Sequence, residues 1–266
     1  EQIDGDLVLL KDRTRSIRTY TTDSTIGEVP KLAQKHQIKV ALGAWIDARF
    51  AHNATEIERA IRLARRHDNV IRLIVGNEVI LRGDIPLADL TAYLDKVRAA
   101  VKQPVSTAEP WHVWLRHPEL AEHVDYLAVH MLPYWEGIPA DASIGYIDSK
   151  VAELEQAFPG KKIVLAEVGW PSNGRTREAA VASESNEAMF LRRFLARARE
   201  QGYVYYLMEA FDQPWKTMEG APGAWWGMFD AYGRQKFSLQ GTVSPDPAWK
   251  ARAALAPWSP HSPRQL

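Results

Sequence analysis

The sequence predicts an α/β protein, a (β/α)8 or TIM barrel whose first strand is missing from the chain. Three observations favour this fold class. Short, nearly continuous apolar runs alternate with longer stretches of helical apolar spacing. Successive runs are about 31 residues apart, which is the average unit length of a barrel of about 250 residues. A doubly wound open sheet shares this spacing, but the glycine-rich nucleotide turn expected after one of its early strands is absent.

Seven apolar runs are interpreted as strands, because continuous hydrophobicity is typical of parallel strands that are buried on both faces. A closed barrel needs eight strands, so one is lacking. The chain opens with Ile3, Leu7 and Leu10 at helical spacing, so we expect a helix as the first element, without the strand that should precede it. The seven runs are Ser16–Tyr20, Lys39–Trp45, Val70–Gly76, Val105–Ala108, Tyr126–Met131, Lys161–Glu167 and Tyr203–Ala210.

Helices are predicted between the runs. Thr55 followed by Glu58 forms a capping-box pattern, which predicts a helix start at Thr55. Pro86 is typical of the first turn of the next helix, and Pro159-Gly160 ends a third. Their apolar faces, with that of a fourth helix, are Ile57, Ile61 and Ala64; Leu87, Leu90, Leu94, Val97 and Val101; Val151, Leu154 and Phe158; and Phe190, Leu191, Phe194 and Leu195.

The domain organisation follows from these elements. Residues 1–256 are predicted to form a single (β/α)8 domain, which is the catalytic domain if the chain is an enzyme. Residues 257–266 carry Pro257, Pro260 and Pro263 and are interpreted as a linker-like tail.

Composition excludes several classes of protein. The 266 residues carry 33 Lys+Arg and 33 Asp+Glu, so no net charge favours nucleic acid or an anionic membrane as partner. No apolar run approaches the roughly 20 residues that span a bilayer. The absence of cysteine excludes disulfides and thiolate catalysis. Ten tryptophans offer flat apolar faces with one N–H each, which suits a ligand with C–H faces and hydroxyl rims.

Two glutamates stand at corresponding points of the repeat. Glu78 follows the third run in Val75-Gly76-Asn77-Glu78, and Glu167 ends the sixth run. They are 89 positions apart, close to three repeat units, so both are expected at the carboxyl-terminal rim where barrel enzymes do their chemistry. One glutamate after a strand is more often a cap or an ion-pair partner. Two in phase on one rim form the minimal apparatus of glycoside hydrolysis.

Other strand ends carry polar and aromatic groups that together predict a cleft with convergent acids and aromatic walls. Trp225 and Trp226, in a glycine-rich stretch after the last run, either line the same cleft or pack under a loop. The predicted substrate-binding residues are Tyr20, Asp23, Asn77, Glu109, Trp111, His130, Tyr134, Trp135, Trp170, Glu209, Asp212, Trp215 and Lys216.

Competing interpretations have weaker support. Eight scattered histidines without a His-Glu-x-x-His pattern predict no metal site, and no phosphate loop or Gly-x-Ser-x-Gly elbow occurs. We therefore expect no metal and no cofactor. Two alternatives stay open: a non-catalytic glycan-binding barrel, and a barrel lyase or aldolase that uses Lys216.

The motifs resemble those of a known family. Gly76-Asn77-Glu78 and Glu167-Val168-Gly169-Trp170-Pro171-Ser172 resemble the two signatures of glycoside hydrolase family 17. Ile17-Arg18-Thr19-Tyr20 and the stretch from Glu209 to Lys216 resemble further parts of it. The resemblance extends from about Ile17 to Phe237 and is strongest to bacterial members attached to membrane-bound β-glucan synthases.

This resemblance implies a retaining β-1,3-glucan transglycosylase, with an endo-β-1,3-glucanase as the alternative. It implies Glu78 as acid/base after barrel strand four, Glu167 as nucleophile after strand seven, and Asn77 as a ligand of the sugar 2-hydroxyl. Tyr134 and His130 are expected to donate hydrogen bonds to Glu167. Gln213 stands where relatives often have a carboxylate.

The resemblance also implies partners and a location. The partners are a β-glucan oligosaccharide donor and acceptor, with no nucleic acid, and a membrane-bound glucan synthase domain as a tether. The implied location is periplasmic or otherwise extracytoplasmic.

Overall fold

A computed structural model describes residues 1–216 and 221–240. The predicted proline-rich tail, residues 257–266, lies outside the described residues. The chain forms two compact units. The first comprises Glu1–His130 with Ala157–Val164, and the second comprises Met131–Gln156 and continues from Leu165.

Seven strands occur in the described residues, and their order in the sheet is their order in the sequence. The first four neighbouring pairs are parallel. Parallel strands in sequence order, joined by helices, are the arrangement of a (β/α)8 barrel, of which the described residues contain seven strands, so the predicted fold class is confirmed. The strands are β1 Ser16–Arg18, β2 Lys39–Ala44, β3 Val70–Asn77, β4 Val105–Pro110, β5 Tyr126–Met131, β6 Lys162–Val168 and β7 Val204–Leu207.

The first element is a helix, as the spacing of Leu7 and Leu10 predicts, and both side chains are buried. No helix in the described part of the chain combines the length and hydrophobicity that crossing a membrane requires. The helices are α1 Gln2–Leu10, α2 Val29–Lys35, α3 Phe50–Arg66, α4 Val79–Arg82, α5 Leu87–Ala100, α6 Trp111–Arg116, α7 Ser143–Ala157 and α8 Glu184–Gln201. Short 3-10 turns lie at Ser24–Glu28, Pro118–His123 and Ala221–Ala224.

The core of the first unit lies between its strands and helices. Five of the six residues of β2 are buried, because this strand lies between β1 and β3 in the sheet and packs against α2 and α3. Leu42 and Leu73 from the strands and Ile57, Leu90 and Leu94 from α3 and α5 are fully buried. Burial of each such side chain contributes about 1.5–3 kcal/mol. This packing fixes the strand ends from which the polar side chains project.

The start of α3 differs from the prediction. The helix begins at Phe50 with Arg49 as N-cap, so Thr55 lies inside it and its hydroxyl donates to the Ala51 carbonyl at 3.1 Å. The preceding turn is built by Asp47, whose carboxylate accepts from the Arg49 N–H at 2.8 Å and whose own N–H donates to Asn53 Oδ1 at 3.0 Å. These hydrogen bonds satisfy the free groups of the first turn, so the capping-box pattern at Thr55 is not used.

The second unit contains α7, the end of β6, β7 and α8. Ser183 caps α8 by accepting the Asn186 N–H at 3.1 Å, and Gly202 ends the helix with φ of 70°. Phe190 and Phe194 on this helix stack at 6.2 Å between ring centroids and are both buried. The predicted apolar face of α8 is therefore its core face, with Leu195 at its half-buried edge.

Candidate active site

Glu78 lies in a tight turn where the chain leaves β3. Gly76 has φ of 87°, which favours glycine, and the register between β3 and β4 shifts between Ile74 and Asn77. Glu78 itself has φ of 54°, in the left-handed region. Its N–H donates to the Ala108 carbonyl at 2.7 Å. The turn thus places the Glu78 side chain at the carboxyl end of the strand.

Arg18 organises the polar groups around Glu78. Its guanidinium donates to Asn77 Oδ1 at 2.5 Å and lies 3.2 Å from His130 Nε2. Because arginine can only donate, His130 Nε2 must be the acceptor nitrogen, and Nδ1 carries the proton. Nδ1 lies 2.8 Å from Glu78 Oε1, so His130 donates to the Glu78 carboxylate. Arg18 therefore sets both the imidazole tautomer and the orientation of the Asn77 amide, whose N–H groups are left to donate elsewhere.

The Glu78 carboxyl group is held but accessible. Its side chain is 22% exposed, whereas that of His130 is 2% exposed. A carboxyl group that is oriented by a buried donor and open to a ligand can exchange a proton with a ligand oxygen. This arrangement suits a general acid or base.

Glu109 lies at the end of β4 and is fully buried, which contradicts its predicted contact with substrate. Its Oε1 accepts the Ile80 N–H at 2.8 Å, and its Oε2 accepts the Leu81 N–H at 3.3 Å. Burial, together with the smaller effect of the nearby Glu78 charge, raises the pKa of Glu109 to about 8 against the effect of these two donors. Glu109 thus holds the first turn of α4, directly behind Glu78.

Three other predicted residues of the first unit have different surroundings. Tyr20 is half-buried beneath the Arg18 guanidinium, 4.5 Å from the ring centroid, so it belongs to the Glu78 surroundings. Asp23 is exposed, caps the Ser24 N–H at 2.8 Å and pairs with Arg59 at 2.7 Å. Trp111 is 3% exposed at the start of α6. Trp111 therefore has a packing position in place of its predicted substrate contact, whereas the substrate contact of Asp23 stays a prediction.

The structure adds three residues that the sequence analysis missed. The Arg82 guanidinium contacts the Asn77 carbonyl oxygen and lies over the Trp45 ring, 4.9 Å from its centroid. The Trp45 N–H donates to the buried carboxylate of Glu56 at 3.1 Å. Arg82 gives no local signal for these contacts, because the Trp45 ring is distant in the sequence and the Asn77 contact depends on the turn between them.

In the second unit, Glu167 lies near the end of β6 and is 6% exposed. The Met208 N–H, just beyond β7, donates to the Val168 carbonyl at 2.8 Å. A Cβ atom on Gly169 would lie 2.1 Å from the Met208 carbonyl oxygen, so only glycine fits this close approach. The glycine after Glu167 thus fixes the strand end that carries the carboxylate.

An aromatic cluster follows Glu167. Tyr134 contacts Trp135, Trp170 and Trp226 edge to face, with centroids 5.3–5.8 Å apart. Trp170 is fully buried, and its indole N–H donates to the Val181 carbonyl at 3.0 Å. The prediction that Trp170 offers a face to a sugar is therefore wrong, because the ring belongs to the core. Trp226 is also buried, which favours its packing interpretation, whereas Trp135 and Trp225 are half-buried.

Tyr134 is buried as well, and its hydroxyl donates to the Arg175 carbonyl at 2.5 Å. A phenol has one proton, so this bond excludes the predicted donation from Tyr134 to Glu167 in this conformation. Its role in the described structure is to pack the aromatic cluster. His130, the other residue predicted to donate to Glu167, donates to the Glu78 carboxylate in its own unit.

Glu209 gathers the polar groups that follow β7. Its Oε2 accepts from the Gln213 amide and from the Lys216 ammonium, the latter at 3.0 Å. Lys216 is thus an ion-pair partner, which counts against its use as the Schiff-base lysine of an aldolase, since that role needs a neutral amine. Trp215 beside it is 71% exposed and presents the most open aromatic face of the predicted set.

Asp212 is 2% exposed and faces a buried charged cluster. Lys236 donates to Asp212 Oδ1 at 3.0 Å and to the Ser172 hydroxyl at 2.8 Å, and it lies 3.0 Å from Glu187 Oε2. Burial raises the pKa values of Asp212 and Glu187 in spite of the Lys236 charge, that of Glu187 to about 8. The predicted substrate contact of Asp212 is therefore replaced by a structural one.

Comparison with known proteins identifies the family. The family model of the BtgE/BtgC glycoside hydrolase domain matches residues 1–227. The chain belongs to this glycoside hydrolase family. It is 29% identical to the probable glucan endo-1,3-beta-glucosidase btgC of Aspergillus clavatus, over 88% of this chain and 38% of that protein. It is 28% identical to the glucan 1,3-beta-glucosidase of Schizosaccharomyces pombe, over 90% and 80% of the two chains.

A solved structure is similar over nearly the whole chain. The glycoside hydrolase family 17 β-1,3-glucanosyltransferase of Rhizomucor miehei is 27% identical, with a TM-score of 0.81 over 90% of this chain and 91% of that one. An active-site mutant of the Rhizomucor enzyme in complex with laminaritriose has a TM-score of 0.82 at 26% identity, over 92% of each chain. The predicted family resemblance is confirmed. Bacterial origin and attachment to a synthase stay predictions, since these relatives are fungal.

Proposed function

We propose that this domain is a retaining β-1,3-glucan-active enzyme that transfers a glucan segment to a second sugar. Two observations support the proposal: the chain matches the family model, and Glu78 and Glu167 occupy the ends of β3 and β6, which are three strands apart in the sheet order. The named glucosidases and the glucanosyltransferase support β-1,3-glucan as substrate. Since the chain spans 38% of the Aspergillus relative, the activity of any longer protein that contains it belongs to the proposal as well.

Glu78 is proposed as the acid/base and Glu167 as the nucleophile. His130, Arg18 and Asn77 support the role of Glu78, because they orient its carboxyl group while leaving it accessible. With Asn77 Oδ1 occupied by Arg18, the Asn77 amide N–H groups are free to donate to the sugar 2-hydroxyl, a bond that strengthens in the transition state. Among the predicted aromatic residues, Trp215 is exposed, and Tyr20 and Trp135 are half-buried, so these three have accessible surface for sugar contacts.

In the first step, a carboxylate oxygen of Glu167 attacks the anomeric carbon. The glycosidic C–O bond breaks, and the Glu78 proton moves to the leaving oxygen. The product is a glycosyl ester on Glu167. In the second step, the hydroxyl group of the acceptor gives its proton to Glu78 while its oxygen attacks the same carbon and the ester bond breaks. Two inversions give net retention.

The two carboxylates are tested by paired substitutions. Glu167→Gln should abolish turnover of laminari-oligosaccharides and leave their binding intact, as measured by calorimetry. Glu78→Ala, assayed on 2,4-dinitrophenyl β-laminaribioside, whose leaving group needs no acid, should be accelerated by azide, which needs no general base and should give a β-glycosyl azide. Glu153→Gln is the matched control, since this carboxylate on α7 is exposed and pairs with Lys150 on its own helix. Activity that persists in Glu167→Gln would contradict the proposal.

Carboxyl separation provides an independent check. The retaining mechanism requires about 5–5.5 Å between the Glu78 and Glu167 carboxyl groups. A crystal structure with a bound β-1,3-glucan oligosaccharide should show this separation and sugar rings on both sides of the pair. A separation near 9 Å, with room for a water, would indicate inversion instead.

Product analysis decides between transfer and hydrolysis. A bound acceptor sugar competes with water through proximity, so we expect products that are longer than the starting laminari-oligosaccharide or that are branched. Only shorter products would identify the domain as an endo-β-1,3-glucanase with the same residues. Glucan binding without any turnover would support the non-catalytic glycan-binding barrel. An extracytoplasmic location and a synthase tether remain part of the proposal and need localisation of the complete protein.

A further inference from the structure

We infer that Glu109 is a positioning residue for Glu78: its buried carboxyl group holds the turn on which the acid/base is carried. This inference rests on the proposed role of Glu78 as acid/base. Glu109 itself does not reach the solvent, so it acts through Glu78 and not on the sugar.

The contacts of Glu109 are directed at the residues that follow Glu78. Oε1 accepts the Ile80 N–H at 2.8 Å, and Oε2 accepts the Leu81 N–H at 3.3 Å. The neighbouring Ala108 carbonyl accepts the Glu78 N–H at 2.7 Å. Two consecutive residues at the end of β4 therefore hold three N–H groups of the turn, including that of Glu78.

The Glu78 turn needs such support for two reasons. Glu78 has φ of 54° and ψ of 32°, a left-handed conformation that is strained for any residue other than glycine. The helix that follows, α4, has only four residues, so it has little stability of its own and cannot hold its first turn. Without acceptors, the half-buried N–H groups of Ile80 and Leu81 would lose their partners, and the turn would relax by moving Glu78.

The charge state of Glu109 indicates which substitution should preserve this function. Its pKa of about 8 means that the group is mostly neutral at pH 7 and adds little negative charge beside Glu78. Glutamine is the neutral analogue of this side chain and retains an oxygen for the stronger bond, to Ile80. Aspartate keeps a carboxyl group but is one methylene too short to reach both N–H groups.

The experiment compares two donors whose leaving groups need different amounts of acid assistance. Cleavage of a laminari-oligosaccharide releases a sugar hydroxyl, so its leaving oxygen needs the Glu78 proton. Cleavage of 2,4-dinitrophenyl β-laminaribioside releases a stable phenolate, which needs no proton. The value of kcat/KM reports the first step for both. Since general acid catalysis contributes about 10²–10⁴-fold, Glu109→Ala should lower kcat/KM for the oligosaccharide by about tenfold or more. For the dinitrophenyl donor the loss should be less than about threefold.

The variants separate positioning from folding. Glu109→Gln should retain most of the oligosaccharide activity, and Glu109→Asp should behave like Glu109→Ala, with circular dichroism confirming that each variant folds. Glu187→Gln removes another buried carboxyl group whose pKa burial raises to about 8, in the second unit, and should leave the ratio between the two donors unchanged.

Equal losses of Glu109→Ala and Glu109→Asp on both donors would overturn the inference and leave Glu109 a structural residue. Wild-type activity of Glu109→Asp would overturn it as well, because reach would then not matter. Glu78→Ala, assayed on the same donors, tests the proposed function separately. If Glu78→Ala loses activity equally on both donors, the acid role of Glu78 fails; if only the Glu109 variants do, the positioning role alone fails.

Discussion

Substitutions of Glu56 should show whether the interior of the first unit needs the hydrogen-bond acceptor of this side chain or its charge. Glu56 is fully buried on α3 and joins the segments that follow β1 and β2. Its Oε2 accepts the Thr22 N–H at 2.8 Å, the Thr22 hydroxyl at 3.0 Å and the Trp45 N–H at 3.1 Å. Its Oε1 accepts the Thr21 hydroxyl at 2.5 Å.

The expected magnitudes follow from these four bonds. Glu56→Ala leaves the Thr22 and Trp45 N–H groups buried without an acceptor, at about 1–3 kcal/mol each, while the two hydroxyl groups can rotate toward other partners. We expect a loss of about 3–5 kcal/mol in the free energy of unfolding. Glu56→Gln can keep an oxygen at the Oε2 position and present its N–H to a reversed Thr21 hydroxyl, so we expect a loss of about 1 kcal/mol.

Urea unfolding at pH 7, followed by circular dichroism and tryptophan fluorescence, measures both losses. Coincident transitions and an unchanged m value are required for the comparison. Glu58→Ala is the control on the same helix, because Glu58 is exposed and its removal should change stability by less than about 0.5 kcal/mol.

Equal losses for Glu56→Gln and Glu56→Ala would refute the reasoning, since the two variants differ in whether the N–H groups keep an acceptor. A loss below about 1 kcal/mol for Glu56→Ala would also refute it, because two buried N–H groups would then have cost almost nothing.

Three further predictions concern the second unit. The pKa of Glu187 in the folded state is about 8, above its ordinary value of 4.5. The stabilisation that comes from this raised pKa is therefore fully present below about pH 4.5 and is lost as the pH rises to about 8. Glu187→Gln should flatten this part of the stability profile, which urea unfolding at several pH values measures. Trp170→Ala should lower the free energy of unfolding by about 3–5 kcal/mol, as for a buried aromatic residue. A change in KM without loss of stability would instead show that Trp170 contacts the sugar. Trp215→Ala should leave the melting temperature unchanged and raise KM for laminari-oligosaccharides, and an unchanged KM would remove Trp215 from the sugar-binding residues.

The strands could be predicted from the sequence because their signal is local. Each of the seven apolar runs overlaps a strand, and the runs differ from the strands by a few residues at their ends. The apolar faces of α5 and α8 are buried as the spacing indicates. The positions of Glu78 and Glu167 at strand ends followed from the same pattern.

What could not be predicted depends on partners that are distant in the sequence. Whether a tryptophan after a strand faces solvent or core is decided by neighbours such as Phe190, so Trp170 and Trp215 are equivalent in the sequence and opposite in the structure. Glu109 follows a strand as Glu78 does, yet it turns toward the backbone of α4. Arg18 is an unremarkable arginine in a strand until Asn77 and His130 are brought to it.

Lys236 has a consequence for how far the folding unit extends along the chain. It is the single ammonium group between Asp212 and Glu187 among the described residues, and it comes 29 residues after the end of β7 at Leu207. A recombinant fragment that ends between Asp212 and Lys236 would leave these two interior acids without this counterion. The minimal autonomous fragment must therefore extend past Lys236, even though residues 1–227 already contain the whole family match.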